Sequence, residues 1–127
     1  MYNIDNQSRQ AVYEQIVTQV EKYVLSGILT SGDKMPSVRK LSLELNVNPN
    51  TVQRAYTELE RSGVLVTAPG RGAFVSDSGR AVLREVRRRE YLKKLDEVLM
   101  ELKVSAVAKE KILAIVERVY EGGGEND

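Results

Sequence analysis

Cysteine and histidine are both absent from this chain of 127 residues. Without cysteine there can be no disulfide and no thiolate metal site, which fits a reducing compartment, so a cytoplasmic location is expected. Without histidine, a metal would have to be held by carboxylates alone, and acid–base catalysis would lose its most usual side chain. An enzyme is therefore the least favoured class, and no cofactor is expected. No run approaches the roughly 20 apolar residues needed to cross a bilayer. The opening Met1-Tyr2-Asn3-Ile4-Asp5 lacks the basic start and apolar stretch of a secretory signal, so no membrane partner is expected. A large excess of either charge is also missing, the formal net charge being +1.

What is present is a hydrophobic fraction of 42%, enough for a core, and a local imbalance of charge. Between positions 34 and 54 the charged residues are Lys34, Arg39, Lys40 and Arg54 against Glu44 alone. A near-neutral chain can thus carry one basic face.

After a polar lead-in from Ile4 to Gln10, Val12, Ile16, Val20 and Val24 recur at helical spacing, and Tyr13, Val17 and Tyr23 widen the stripe. The spacing predicts a helix from about Arg9 to Ser26, ended by Gly27. Ser31-Gly32-Asp33 reads as a turn, and Pro36 biases Met35 toward extended backbone. Ser37 is placed to cap a second helix, in which Val38, Leu41, Ser42 and Leu45 face inward. Asn46-Val47-Asn48 is a turn anchored by Val47. Asn48 then caps a third helix, with Pro49 in the first position, where a missing N–H costs nothing. That helix runs to about Ser62 before Gly63. Its stripe Val52, Ala55, Tyr56 and Leu59 is apolar, while Asn50, Gln53, Arg54 and Thr57 form a polar stripe on the other side.

Val64–Thr67 and Ala73–Ser76 read as strands around Ala68-Pro69-Gly70-Arg71-Gly72, a hairpin tip that presents an arginine. Helix, helix–turn–helix and hairpin in this order describe a winged helix–turn–helix, giving a mainly α fold with a small β-hairpin. Beyond Ser78-Gly79 the composition becomes charged and helical. Leu92, Leu95, Leu99 and Leu102 alternate spacings of three and four, a short coiled-coil-like seam. Ser105 is placed to cap a last helix carrying Val107, Ile112, Ile115, Val116 and Val119. The expected organisation is a DNA-binding domain over 1–77, a two-helix dimerisation region over 78–121, and a disordered tail over 122–127.

Four stretches in register, Tyr13-Glu14-Gln15-Ile16, Pro36-Ser37-Val38-Arg39-Lys40-Leu41, Val47-Asn48-Pro49-Asn50-Thr51-Val52 and Gly70-Arg71-Gly72-Ala73-Phe74-Val75, resemble the GntR family of bacterial transcriptional regulators. The resemblance covers about the first 76 residues. The short C-terminal part is similar to the YtrA-type subfamily, whereas larger relatives carry an effector-binding or aminotransferase-like domain there. The resemblance implies that Arg39 contacts DNA, that Asn48, Asn50, Thr51 and Gln53 face the major groove or its phosphates, and that Gly70 and Arg71 approach the minor groove. It also implies a homodimeric regulator, a repressor by preference, acting on an operator that serves an ABC transporter operon. It names no small-molecule effector. Pro49 stands where some relatives carry a basic residue, Gln53 replaces a frequent arginine, and Ala73 replaces a common threonine. Base preference should differ with the first two, while the third removes one phosphate hydrogen bond.

The residues themselves support part of this. Arginine and glutamine reach base edges with paired hydrogen bonds, and a helix fits the major groove, so Asn50, Gln53 and Arg54 are candidate base readers. On spacing alone an ordinary solvated helix face remains equally open. Gly70 and Gly72 let Arg71 approach a phosphate or a narrow groove closely. Gly70-Arg71-Gly72 is not a nucleotide loop, because the P-loop Lys-Ser/Thr is missing. Ser37 reads first as a structural cap, although a helix N-terminus can also hold a phosphate. Tyr13, Tyr23 and Tyr56 read as packing residues, and Arg84 and Arg87–Arg89, interleaved with Glu85 and Glu90, as a solvated face. The apolar residues of the last two helices exceed what a helical hairpin can bury, so pairing with a second chain is preferred. A twofold dimer would read an inverted repeat. The competing reading is a winged-helix module that binds protein without specific DNA binding.

Overall fold

The structure is a computed structural model that describes residues 2–122. The chain divides into two compact units, Met1–Arg87 and Arg88–Asp127. The elements run α1 (Val12–Ser26), α2 (Val38–Leu45), α3 (Pro49–Arg61), β1 (Leu65–Ala68), β2 (Gly72–Val75), α4 (Gly79–Val104) and α5 (Lys109–Glu121).

The first unit is a winged helix–turn–helix. Ile16, Val20 and Val24 of α1, Leu41 of α2, and Val52, Ala55, Tyr56 and Leu59 of α3 are buried together. Val64, Leu65 and Val75 close the core from the wing side. Ser42 of α2 is buried as well, and its hydroxyl donates to the Arg39 carbonyl at 2.8 Å, so a small polar residue sits in the stripe without an orphaned group. Val47, expected to anchor the turn, is half-buried.

Three helices end alike. Asn46 after α2 and Gly63 after α3 adopt left-handed backbone, at φ 56° and 88°. The next amides, of Val47 and Val64, then donate back to Ser42 and Leu59. Such ends satisfy carbonyls that the helix leaves open. After α4 the same device uses Ala106, at φ 62°, with the Val107 amide on the Leu102 carbonyl. This corrects the expectation for Ser105. Its amide still bonds the Glu101 carbonyl at the close of α4, and α5 starts after Ala108 with no side-chain cap.

The wing holds three extended segments. β1 and β2 pair antiparallel from Leu65↔Val75 to Ala68↔Gly72. The other edge of β2 is covered by residues 32–35, where the Met35 amide bonds the Ala73 carbonyl at 2.8 Å and the Val75 amide bonds the Asp33 carbonyl at 2.9 Å. β2 is therefore paired on both sides, which fixes the wing against the segment leading into α2.

The lead-in before α1 is docked on it. Buried Gln15 accepts from the Asp5 amide at 2.8 Å and donates to the carbonyls of Asp5 and Gln10. The first unit also takes in the start of α4, whose Leu83 joins the core. The compact unit thus extends about ten residues past the position 77 boundary read from composition.

The second unit holds the rest of α4 and α5. Leu99, Leu102, Val107 and Ile112 are half-buried there. Leu92, Leu95, Val98, Ile115, Val116 and Val119 are exposed. The tail expected to be disordered lies, from residue 123 on, outside the described residues. Among the described residues no helix is long and apolar enough to cross a membrane.

Candidate nucleic-acid interface

The local chemistry of α2 and α3 decides which polar side chains are free. Ser37 Oγ accepts from the Lys40 amide at 3.0 Å, and Asn48 Oδ1 accepts from the Asn50 amide at 2.7 Å. Both are helix caps, each worth about 1 kcal/mol. The Asn48 carbonyl oxygen is thereby committed, so it orients α3 before it offers anything to a partner. Pro49 occupies the first helical position.

Asn50, Gln53, Arg54 and Thr57 are exposed along α3. Thr51 is half-buried. Gln53 Nε2 donates to Thr57 Oγ1 at 3.2 Å, one turn on. Arg54 lies about 100° further round the helix. Its guanidinium sits 3.8 Å from the centroid of the Tyr13 ring, on α1. Tyr13 is half-buried, so it packs as read, but it also serves as a platform for Arg54.

Arg71 stands exposed at the tip of the wing, and its amide closes a turn on the Ala68 carbonyl at 2.8 Å. Gly70 and Gly72 flank it with φ of 78° and 113°, values that favour glycine. A side chain at Gly72 would also stand 3.3 Å from Lys34 Cε. Glu60 of α3 takes a hydrogen bond from Thr67 of β1, which ties the wing to the third helix.

These residues gather around two clefts of the first unit. One, of about 280 Å³, lies between wing and helices and brings Ser37, Gln53, Arg71 and Gly72 together with Lys34 and Tyr56. The other, of about 390 Å³, joins Asn48, Asn50, Thr51 and Arg54 to Tyr13. Arg39, exposed on α2, and Gly70 line neither. Lys34, Tyr13 and Tyr56 line these clefts although sequence reasoning left them out of the site. Lys34 was visible as part of the basic stretch, whereas Tyr13 carried the same helical spacing as a core residue. Among the described residues no group of His, Cys, Asp or Glu is arranged to hold a metal ion.

The profile of the bacterial regulatory proteins of the gntR family matches residues 12–75, the helix–turn–helix and wing just described. This chain belongs to the GntR family. The HTH-type transcriptional repressor YtrA of Bacillus subtilis is 36% identical over 130 residues, covering 100% of both chains. A transcriptional regulator from Oenococcus oeni has a similar structure, with a TM-score of 0.79 at 34% identity, covering 94% of this chain and 99% of that one. YtrA from Sulfolobus acidocaldarius, a GntR-family transcription factor, gives a TM-score of 0.60 at 31% identity, covering 93% and 95%. Likeness along the whole length, including the short C-terminal helices, makes this chain a YtrA-type member. It is a DNA-binding transcriptional regulator and not an enzyme.

Proposed function

We propose that the protein is a cytoplasmic homodimeric repressor that recognises an inverted-repeat operator. The exposed polar stripe of α3 beside a wing tipped by Arg71 carries the reading. Leu59 of α3 shares one core with Leu65 and Val75 of the wing, and Thr67 bonds Glu60 across them, so one body offers a helix for a major groove and an arginine for the adjacent minor groove. Asn50 and Gln53 are the base readers, while Arg39, Arg71, Ser37 and Thr51 seat the backbone. Arg54 belongs to the same surface. Asn48, Gly70 and Gly72 shape the two contacting elements.

Dimerisation is supported by the second unit. Leu92, Leu95 and Val119 are between 50% and 60% exposed, and with Ile115 and Val116 they form more apolar surface than a lone soluble hairpin leaves in water. Leu99, Leu102 and Ile112 complete that face. A twofold pair would place two α3 helices for half-sites about one helical turn apart. Repression and an ABC transporter operon follow from the likeness to YtrA, the bound chain blocking the promoter.

Selection of duplexes from a random pool by the full chain tests this reading. A pseudo-palindromic consensus is expected. Enrichment of single half-sites would overturn the dimer, and no enrichment would favour the protein-binding module.

A further inference from the structure

Arg54 and Tyr13 form a contact that neither the helix–turn–helix nor the wing requires. The guanidinium lies 3.8 Å from the ring centroid. At that distance the guanidinium lies against the aromatic face. A guanidinium carries five N–H donors, more than one ring contact can occupy. The stack also removes rotamer freedom that a long side chain would otherwise lose on binding.

The surroundings favour an anion at that edge. Tyr13 and Arg54 line the 390 Å³ cleft with Asn48, Asn50 and Thr51, and no carboxylate is among its lining residues. Glu58, one turn along α3, accepts a hydrogen bond from Arg61. That bond is the main reason its carboxyl is held below the ordinary range, and the Arg54 charge contributes less. Gln53 points about 100° away round the helix, so the two side chains leave α3 in different directions.

We propose that Tyr13 is a positioning residue that holds Arg54 as a phosphate clamp, so that Arg54 grips the DNA backbone and does not read a base. This rests on the DNA-binding reading of the α3 face. It moves sequence discrimination onto Asn50 and Gln53 and adds the first helix to the DNA-binding surface. A tyrosine or a phenylalanine serves at position 13, since the ring face makes the contact, but an aliphatic residue does not.

The experiment uses the full chain and two duplexes of equal length, one selected by the wild type from a random pool and one scrambled. Tyr13→Phe should bind both as the wild type does. Tyr13→Leu, which keeps the apolar packing, should weaken both by about two- to tenfold, the cost of ordering one long side chain on binding. Arg54→Gln should weaken both at least as much, leave their ratio unchanged, and lower the slope of log affinity against log salt by about one. The double variant should be no weaker than Arg54→Gln alone. Tyr13→Leu binding like the wild type, or additive losses in the double variant, would overturn the positioning role. A ratio that collapses in Arg54→Gln would make Arg54 a base reader and overturn the clamp, even if Tyr13→Leu failed to fold. A wild type that selects no sequence overturns the underlying reading of the face instead.

Discussion

The phenol of Tyr56, on the recognition helix α3, donates a 2.7 Å hydrogen bond to the backbone carbonyl of Pro36, just before α2. One side chain thereby ties the third helix to the entrance of the second. Both also line the cleft that faces the wing. Tyr56→Phe keeps the buried ring and deletes only this bond. It should cost about 1 kcal/mol, the usual net worth of a partly buried hydrogen bond. Urea unfolding of the two chains checks it, and an unchanged midpoint would mean that the bond contributes nothing in solution.

Two tyrosines should make the first unit sensitive to alkali. Burial, then Tyr23 and Glu44, raises the Tyr2 phenol to about 12. Burial, then Tyr2 and Glu44, pushes Tyr56 up further. In the unfolded chain both ionise near 10. Their contribution is therefore complete below pH 10. It is lost as pH rises toward 12, because the unfolded state then binds fewer protons than the native one. Melting temperature should fall over that window, and Tyr2→Phe with Tyr56→Phe should flatten the fall. A flat wild-type profile between pH 10 and 12 would contradict the assignment.

Gly79 is a close-approach glycine, not a linker residue. A Cβ there would lie 3.0 Å from the Val64 carbonyl oxygen and 3.1 Å from Ser76 Oγ. Ser76 is itself held by a 2.6 Å bond to the Gly63 carbonyl, so neither neighbour yields easily. Gly79 is the first residue of α4, so the preference for alanine, about 1 kcal/mol in a helix interior, applies only in part. Overpacking against backbone costs about 1–3 kcal/mol, so Gly79→Ala should be destabilising on balance. A chain that melts higher would show that the start of α4 simply shifts aside.

The recognition helix was legible because its signals are local. The buried stripe Val52, Ala55, Tyr56 and Leu59 and the Asn48-Pro49 cap lie within a few residues of one another. The wing was legible for the same reason, since the Gly70-Arg71-Gly72 turn sits between two strands that pair across it. What escaped was made by contacts distant in sequence. Gln15 is a polar residue on an exposed-looking register, yet it is buried by the segment ten residues before it. Tyr13 and Arg54 meet across 41 positions (54 − 13), and no periodicity reports a stack between two helices. The end of α4 escaped because Ala106 takes a left-handed conformation usually given to glycine or asparagine, leaving Ser105 inside the closing turn.

Gln53 and Arg71 should separate base reading from backbone seating. Gln53→Ala should lower discrimination between the selected duplex and a scrambled one by about 1–3 kcal/mol, with little change in salt dependence. Arg71→Ala should weaken both duplexes evenly and lower the salt slope by about one. Competition binding at several salt concentrations measures both. An even loss with Gln53→Ala would remove it from the readers, and an unchanged slope with Arg71→Ala would take the wing off the phosphates.

The second unit bears the strongest test of assembly. Leu95 is 50% exposed and Leu99 half-buried, one turn apart on α4. A hairpin used alone would tolerate a charge at the more exposed of these with an effect within about 0.5 kcal/mol. A paired surface would not, since two buried and unpaired charges per chain would face each other across the twofold axis. Leu95→Glu with Leu99→Glu should therefore give a folded monomer by sedimentation. Its affinity for a full inverted repeat should drop to that for an isolated half-site, because the second half-site no longer binds at the high effective concentration that a dimer provides. A variant that still sediments as a dimer would place the assembly surface elsewhere. A wild type that sediments as a monomer at micromolar concentration would remove the twofold reader altogether.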